Sequence, residues 1–522
     1  MQFPILDSTD NARPSVIDPS SRRYWIGGTV FVLLSMLLFL INTRHGIGIY
    51  PDSLRYMRIS ERPYDAPLYP WMLMLASLNG IDITAGAKAI GLFFVCANTA
   101  LIWHLLMRAT GQLVYAAAGT ALVTLSPQFV TLHSLAMSEP PFLFFLLATV
   151  LAFLLYLETE DRTWLKVSAV VLGVATLARF TAPPLGAAIA ACLLLNPRHA
   201  PARRFGDVVL FAVVSASIFL CWAVMSHIIS GRSVGRALWF YGNMGSKEWI
   251  TSLTALTAWL LPDQVPVAGR IALLGAFVVA VASLTFLHAR RTLQQAQKAK
   301  VVDDMLPTLF GLFFIFYMGF IVLSTSAEAN LALNGRYAFP VYVTTVLMTT
   351  IILAHLRDEE NTRIKLLHRG LVCLAVLVIG SHVIRTAVRS TEAFRSGVGY
   401  ASREWVNSPT IKVLRGLPAD AEIYSNGGDV IAYLLRRDAH FVPDRVKLRT
   451  GLDDPANPFE TQLETLGTKL TQENSYVAYF DRIDWRFYAV SEAELKQRLS
   501  LVNIATEADG RVYVMRKTAQ HD

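Results

Sequence analysis

From about residue 24 to about residue 386 the chain is one apolar stretch after another, each near the length needed to cross a bilayer core and separated by short polar connections. The first stretch runs from Tyr24 to Asn42. Others fall near 85–107, 113–131, 141–157, 164–180, 182–195, 205–229, 270–288, 306–325, 337–356 and 370–386. That makes about eleven spans at the usual crossing length. The fifth and sixth flank Pro183 and Pro184, so a single kinked hairpin is the alternative there. PLYPWMLMLASL (Pro67–Leu78) is apolar but short, as expected of a half-embedded helix. Beyond Arg389 the pattern changes. Ala421–Ser425, Tyr476–Phe480 and Arg511–Met515 read as strands, while Asp429–Arg436 and Ser491–Leu499 read as helices. The expected architecture is a polytopic α-helical membrane protein with a C-terminal soluble α/β domain. Its parts are a cytoplasmic tail (1–23), a membrane domain (24–388, first outer loop 43–84) and the soluble domain (389–522).

Composition sharpens this picture. Only 16% of residues are charged and 53% are hydrophobic, against about 25% charged in an ordinary soluble chain. The net charge of +8 needs no nucleic-acid partner, because the basic residues gather in every other connection. Arg22 and Arg23 precede the first span. Arg162 and Lys166, then Arg198, Arg203 and Arg204, then Arg290, Arg291, Lys298 and Lys300, then Arg357, Arg363, Lys365 and Arg369 mark later inner connections. The positive-inside rule places the N-terminus in the cytoplasm, and an odd number of spans puts the C-terminal domain outside, in the periplasm of a bacterial inner membrane. The first 20 residues are polar and contain proline, so no cleavable signal is expected. All four cysteines (Cys96, Cys192, Cys221, Cys373) fall within expected spans, so the soluble domain has no disulfide framework.

Span interiors are nearly free of acids, whereas a transport pathway places ionisable groups mid-span. The ionisable residues collect at the outer ends instead. Richest is GIYPDSLRYMRISERPYDAPLYPW, Gly48–Trp71. If Asp52–Arg62 is helical, Arg55, Arg58 and Arg62 form one stripe, with Asp52 a turn before Arg55. Guanidinium groups bind phosphate oxygens in bidentate fashion, so the stripe suits a phosphate or pyrophosphate. The plainer alternative is an interfacial helix resting on anionic headgroups.

Asp52-Ser-Leu-Arg55-Tyr56, followed by Asp65 and Pro67-Leu-Tyr-Pro70, resembles the first outer loop of the GT-C glycosyltransferases, above all the protein O-mannosyltransferases and the lipid A aminoarabinose transferase. Ser138-Glu139-Pro140, Leu177-Ala178-Arg179 and Asn334-Gly335-Arg336-Tyr337 with Pro340 follow in the order of further family landmarks, and Ile423–Pro443 is similar to the outer domain of bacterial members. Two departures leave the sugar open: Ser53 stands where many relatives carry Glu, and Ala66 where the aminoarabinose enzyme carries Lys.

The resemblance implies a GT-C fold and transfer of a hexose or pentose, with inversion, from a polyprenyl-phosphate-linked donor. The acceptor would be a lipid, polysaccharide or protein of the cell envelope. Asp52 would be the catalytic acid/base, where a bare reading makes it a helix cap. Glu139 joins it as a second catalytic acid, although Ser-Glu-Pro is also how a helix start is written. Arg55, Arg179, Arg336 and Tyr337 would hold the donor phosphate, where the alternative for Arg179 and Arg336 is snorkelling to headgroups. Asp65 and Tyr56 are candidates for the acceptor or a divalent metal, with His133 and His227 as further possible ligands, though no spacing matches a metal motif. Gly427-Gly428 reads as a strand-to-helix turn rather than a phosphate cradle. The loop Gly231–Gly269, with Arg232, Arg236, Trp239, Tyr241, Lys247 and Trp249, is long enough for a lid. A different class, a carrier or flippase for a lipid-linked precursor with an outer binding module, would need a polar path through the spans.

Overall fold

The structure, a computed structural model, describes residues 22–57, 65–231, 245–262, 264–294, 301–327, 333–357, 360–448, 451–471 and 474–516. Each of the eleven expected spans coincides with helix. In chain order the helices are α1 (Arg22–Asn42), α2 (Pro51–Tyr56), α3 (Leu68–Leu78), α4 (Ile83–Thr110), α5 (Leu113–Thr124), α6 (Pro127–His133), α7 (Glu139–Thr159), α8 (Arg162–Ala178), α9 (Pro183–Leu195), α10 (Pro201–Ser230), α11 (Ser246–Thr257), α12 (Val267–Gln294), α13 (Val301–Ala327), α14 (Gly335–His355) and α15 (Thr362–Ser396). Among the described residues, eight of them are long and apolar enough to cross a membrane, or nine if α5 and α6 form one bent span.

The count falls below eleven for local reasons. The stretch 113–131 breaks at Ser126-Pro127, where the Ser126 hydroxyl accepts from the Phe129 amide and proline opens α6, giving a 59° bend. Helix α8 has 17 residues and α9 has 13. They are separate helices divided at Arg179–Ala182, because Arg179 adopts an extended backbone and Pro183 starts α9. Helix α3 is the expected short apolar segment, and α15 runs unbroken past residue 388 to Ser396. The bundle core is packed around α4, α7, α8, α9, α13 and α14. At the bundle end opposite Glu139, Arg162 Nε lies 2.7 Å from the fully buried Asp207, which also accepts from the Tyr156 hydroxyl at 2.6 Å.

The chain after α15 builds a mixed five-stranded sheet of order β2-β1-β3-β5-β4. Its strands are β1 (Glu422–Ser425), β2 (His440–Phe441), β3 (Ser475–Phe480), β4 (Leu501–Glu507) and β5 (Gly510–Met515). β1 runs parallel to β2 and β3, while β5 is antiparallel to both β3 and β4. The helices are α16 (Arg403–Val406), α17 (Pro409–Arg415), α18 (Gly428–Leu435), α19 (Phe459–Leu470) and α20 (Glu492–Arg498). β1, β3, β5, α18 and α20 were legible in the sequence. β2 and β4 were not, since β2 has two residues and β4 is exposed at four of its seven positions. Gly427 makes the strand-to-helix turn expected of it, and a Cβ there would lie 2.7 Å from Ile483 Cδ1.

Strand alternation gives the sheet two buried faces. Tyr424, Val477 and Tyr513 face α19 and α20, packing on Leu463, Leu466 and Leu495. Ile423, Ala478, Phe480 and Val512 face the other way, into a cluster that holds Ile47, Ile49, Leu54, Tyr56 and Tyr69 of the first loop. The C-terminal domain therefore shares a core with the loop that carries Asp52. Backbone bridges complete the joint. The Gly48 amide donates to the Ser134 carbonyl at 2.9 Å, the Ala136 amide to the Gly48 carbonyl at 3.0 Å, and the Tyr400 amide to the Ile49 carbonyl at 2.9 Å. Gly399 has a φ of +60°, and a Cβ there would collide with the Ile49 carbonyl oxygen. Gly399→Val should therefore cost about 2–4 kcal/mol through steric clash and a left-handed backbone. A lower melting temperature and faster proteolysis at the joint, read in detergent, would show it.

Candidate active site

The site lies where α2, α7, α8 and α14 end at the same side of the bundle. Pro51 starts α2 with a residue whose missing amide is not needed there, and Ser53 Oγ accepts from the Tyr50 amide at 3.1 Å. Ser53, Leu54 and Tyr56 turn inward and are buried. Asp52 and Arg55 lie on the remaining face, with Arg55 Nη1 2.7 Å from Asp52 Oδ1. Of the proposed stripe, Arg55 lies on α2, which spans Pro51–Tyr56. Arg58 and Arg62 lie outside the described residues, as do Arg232, Arg236, Trp239 and Tyr241 of the expected lid. The described part of that loop contains α11.

Glu139 is the first residue of α7, 2% exposed. Two guanidiniums converge on its Oε1: Arg179 Nη1 at 2.8 Å and Arg336 Nε at 2.6 Å. Arg179 comes from the extended residue closing α8 and Arg336 from the first turn of α14, whose amides at Arg336 and Tyr337 are capped by Asn334 Oδ1. Arg336 also reaches Asp52, Nη1 to Oδ2 at 2.6 Å. Arg55 continues the chain by holding Asp65 through two bonds of 2.9 and 3.1 Å. The result is one line of alternating charges: Asp65, Arg55, Asp52, Arg336, Glu139, Arg179. Side-chain exposure falls from 30% at Arg336 and 27% at Asp52 to 11% at Arg179 and 2% at Glu139. The line is open near Asp52 and closed at Glu139.

The remaining expected residues stand behind this line. The Tyr56 hydroxyl lies 3.2 Å from Ser138 Oγ and its ring meets Tyr69 edge-on, so it supports the site from beneath instead of facing an acceptor or metal. The Arg179 guanidinium lies over the Tyr337 ring, 5.2 Å from its centroid, and the Tyr337 carbonyl accepts from Tyr317. Tyr337 thus holds Arg179 in place. Ser138 does not cap α7 with its hydroxyl, as the Ser-Glu-Pro pattern suggests; the hydroxyl accepts from Arg179 at 3.3 Å. Ser138 stood in the sequence only as part of the Ser-Glu-Pro landmark, and Tyr317 carried no signal there as part of the site.

The carboxylates of the described site are paired with arginines. Asp65 is clamped by Arg55, Glu139 by Arg179 and Arg336, and among the described residues no group of three or more His, Cys, Asp or Glu could hold an ion. His133 is buried, with Nε2 2.9 Å from Asn98 Nδ2 and Nδ1 2.8 Å from the Phe129 carbonyl, and His227 is exposed on the last turn of α10.

Burial alone would raise the pKa of Asp52, but Arg336 and Arg55 more than offset it and hold the carboxyl below the usual aspartate range. Its pairs thus stabilise the folded state at pH above the ordinary aspartate value and cease to do so as pH falls through the depressed folded value. Tyr56 moves the other way, raised by burial and then by Asp65, Glu139 and Asp52, so it stays neutral.

Comparison with known proteins bears on the fold. Residues 62–227 match the family model for dolichyl-phosphate-mannose-protein mannosyltransferase. Over 95% of this chain and 99% of the other, the fold is similar to ArnT from Cupriavidus metallidurans bound to undecaprenyl phosphate, with TM-score 0.57 and 14% identity. It is also similar to the archaeal oligosaccharyltransferase AglB from Archaeoglobus fulgidus in complex with an inhibitory peptide and a dolichol-phosphate, with TM-score 0.55, 12% identity, and coverage of 95% and 75%. No curated protein sequence matches. The chain has the fold of the GT-C superfamily of membrane glycosyltransferases.

Glu139→Gln should destabilise the protein by roughly 3–5 kcal/mol, because two guanidiniums lose a buried counter-charge. Asp52→Asn should cost only about 1 kcal/mol, its pairs being partly open to water. Melting temperatures at neutral pH give the ranking, and the gap between Asp52→Asn and the parent should close on acidification.

Proposed function

We propose that this protein transfers a sugar from a polyprenyl-phosphate-linked donor to a cell-envelope acceptor, at the periplasmic face of a bacterial inner membrane. The observation that carries it is Asp52, an ionised carboxylate between two guanidiniums at the end of a membrane-spanning bundle. Bilayer-embedded helices suit a donor whose chain lies between spans. ArnT and AglB, which share the fold, were solved with undecaprenyl phosphate and a dolichol-phosphate. The clustered inner-loop arginines support a cytoplasmic N-terminus and a periplasmic site.

Chemically, the acceptor oxygen bonds to the anomeric carbon as the bond from that carbon to the phosphate oxygen breaks. The acceptor's proton goes to Asp52, and the leaving phosphate keeps the electron pair. Attack opposite the leaving group inverts the anomeric centre. Arg336 and Arg55 receive the growing phosphate charge, and Arg179 backs them through Glu139. Glu139, with both arginines on its Oε1 and its side chain buried, positions those guanidiniums. The soluble domain, which shares a core with the Asp52 loop, covers the site and helps select the acceptor.

Asp52→Asn should leave the protein folded and inserted while lowering sugar transfer from a lipid-linked donor by at least about 100-fold, the range of a lost general base. Envelope glycans from cells with and without the gene, compared by mass spectrometry, would name the missing sugar and its acceptor. Full activity in Asp52→Asn would remove the mechanism. An unchanged glycan profile would remove the function.

A further inference from the structure

Three carboxylates and three guanidiniums meet in the site, and their pairing is lopsided. Arg55 holds Asp65 through two bonds and Asp52 through one. Arg336 holds Glu139 through Nε and Asp52 through Nη1. Each of these two arginines therefore has one carboxylate that the other does not touch, Glu139 being held by Arg179 as well, and the two share Asp52. The private partners are the more buried: side-chain exposure is 2% for Glu139 and 14% for Asp65, against 27% for Asp52. Among the described residues, Arg179 and Tyr56 also border the line and are engaged with Glu139, Ser138, Tyr337 and Tyr69.

This asymmetry decides what an arriving anion can displace. Breaking a buried ion pair leaves an uncompensated charge out of water, whereas breaking a partly solvated one costs little. We propose, on the reading that the site receives a lipid-linked phosphate, that the donor phosphate exchanges places with Asp52 on Arg55 and Arg336, while Asp65 and Glu139 keep their grip on those arginines. Asp52 is the replaceable member of the line. Asp65 and Glu139 are positioning residues that keep the two guanidiniums from following Asp52.

The exchange couples binding to chemistry. Tied to two cations, Asp52 is a poor proton acceptor. Once phosphate holds those cations, the freed carboxylate lies beside a new negative charge and its affinity for a proton rises. The base becomes available only when a donor is present, which sets a binding order of donor before acceptor.

The test uses the full chain in lipid nanodiscs, with undecaprenyl phosphate as the probe. Binding is followed by calorimetry at about pH 5 in two buffers of different ionisation heat, where a rise in the Asp52 pKa appears as proton uptake. The parent should take up a fraction of a proton more than Asp52→Asn. Asp52→Asn should bind the probe roughly fivefold tighter, because the competing anion is gone. Asp65→Asn should bind several-fold weaker, because Arg55 is then left to Asp52 alone. Equal proton uptake by parent and Asp52→Asn, with unchanged or weaker binding, overturns the exchange but leaves the donor assignment standing. Tightening by both variants alike also overturns it, since removal of any negative charge would then suffice. No binding of the probe by the parent removes the donor assignment and the exchange together.

Discussion

A single buried oxygen organises this molecule's chemistry. Glu139 Oε1 accepts from Arg179 and Arg336 at once, and those arginines arrive from helices far apart in the chain. Two guanidiniums cannot approach one another in a low-dielectric setting without an anion between them, and an anion cannot be buried there without cations. Each group is tolerable only because the others are present, so the ends of α7, α8 and α14 are locked to a common level. Arg336 has a second nitrogen to spare, and the lock extends through it to Asp52 and on to Asp65.

The other constraint comes from the soluble domain. Helix α2 has six residues, too few to hold its place by propensity. It is fixed because Leu54 and Tyr56 share a core with β1, β3 and α18, and because the strand-like run Gly48–Ile49 is hydrogen-bonded on one side to Ser134–Ala136 and on the other to Tyr400. The soluble domain is thus part of the machinery that aims Asp52. A change in how it docks would move the carboxylate without touching a charged residue.

Burial and solvation divide the line of charges into a fixed half and an adjustable half. Glu139 and Arg179 lie under Tyr56, Ser138 and Tyr337 with little water. Asp52 and Arg336 face the opening. Ion pairs that can be re-solvated can be exchanged, and those that cannot serve as anchors. The order of exposure therefore matches the order in which an arriving phosphate could rearrange the site.

The chain by itself determined where the apolar segments lie, because a bilayer demands unbroken runs that any local window can see. It also determined the alternating strands of the C-terminal domain, and short motifs picked out Asp52, Glu139, Arg179 and Arg336, which the structure brings together. Local pattern could not say that 113–131 bends at Ser126-Pro127, or that Arg55 pairs with both Asp52 and Asp65. Only the tertiary structure decided the pairing. It placed Arg55 on Asp65, turned Ser138 from a helix cap into a partner of Arg179, moved Tyr56 and Tyr337 behind the carboxylates, and brought two guanidiniums onto one oxygen of Glu139. Pairings of that kind join residues up to 284 positions apart, as Arg336 and Asp52 are, and a contact at that separation is set by how helices pack, which no local run of residues encodes.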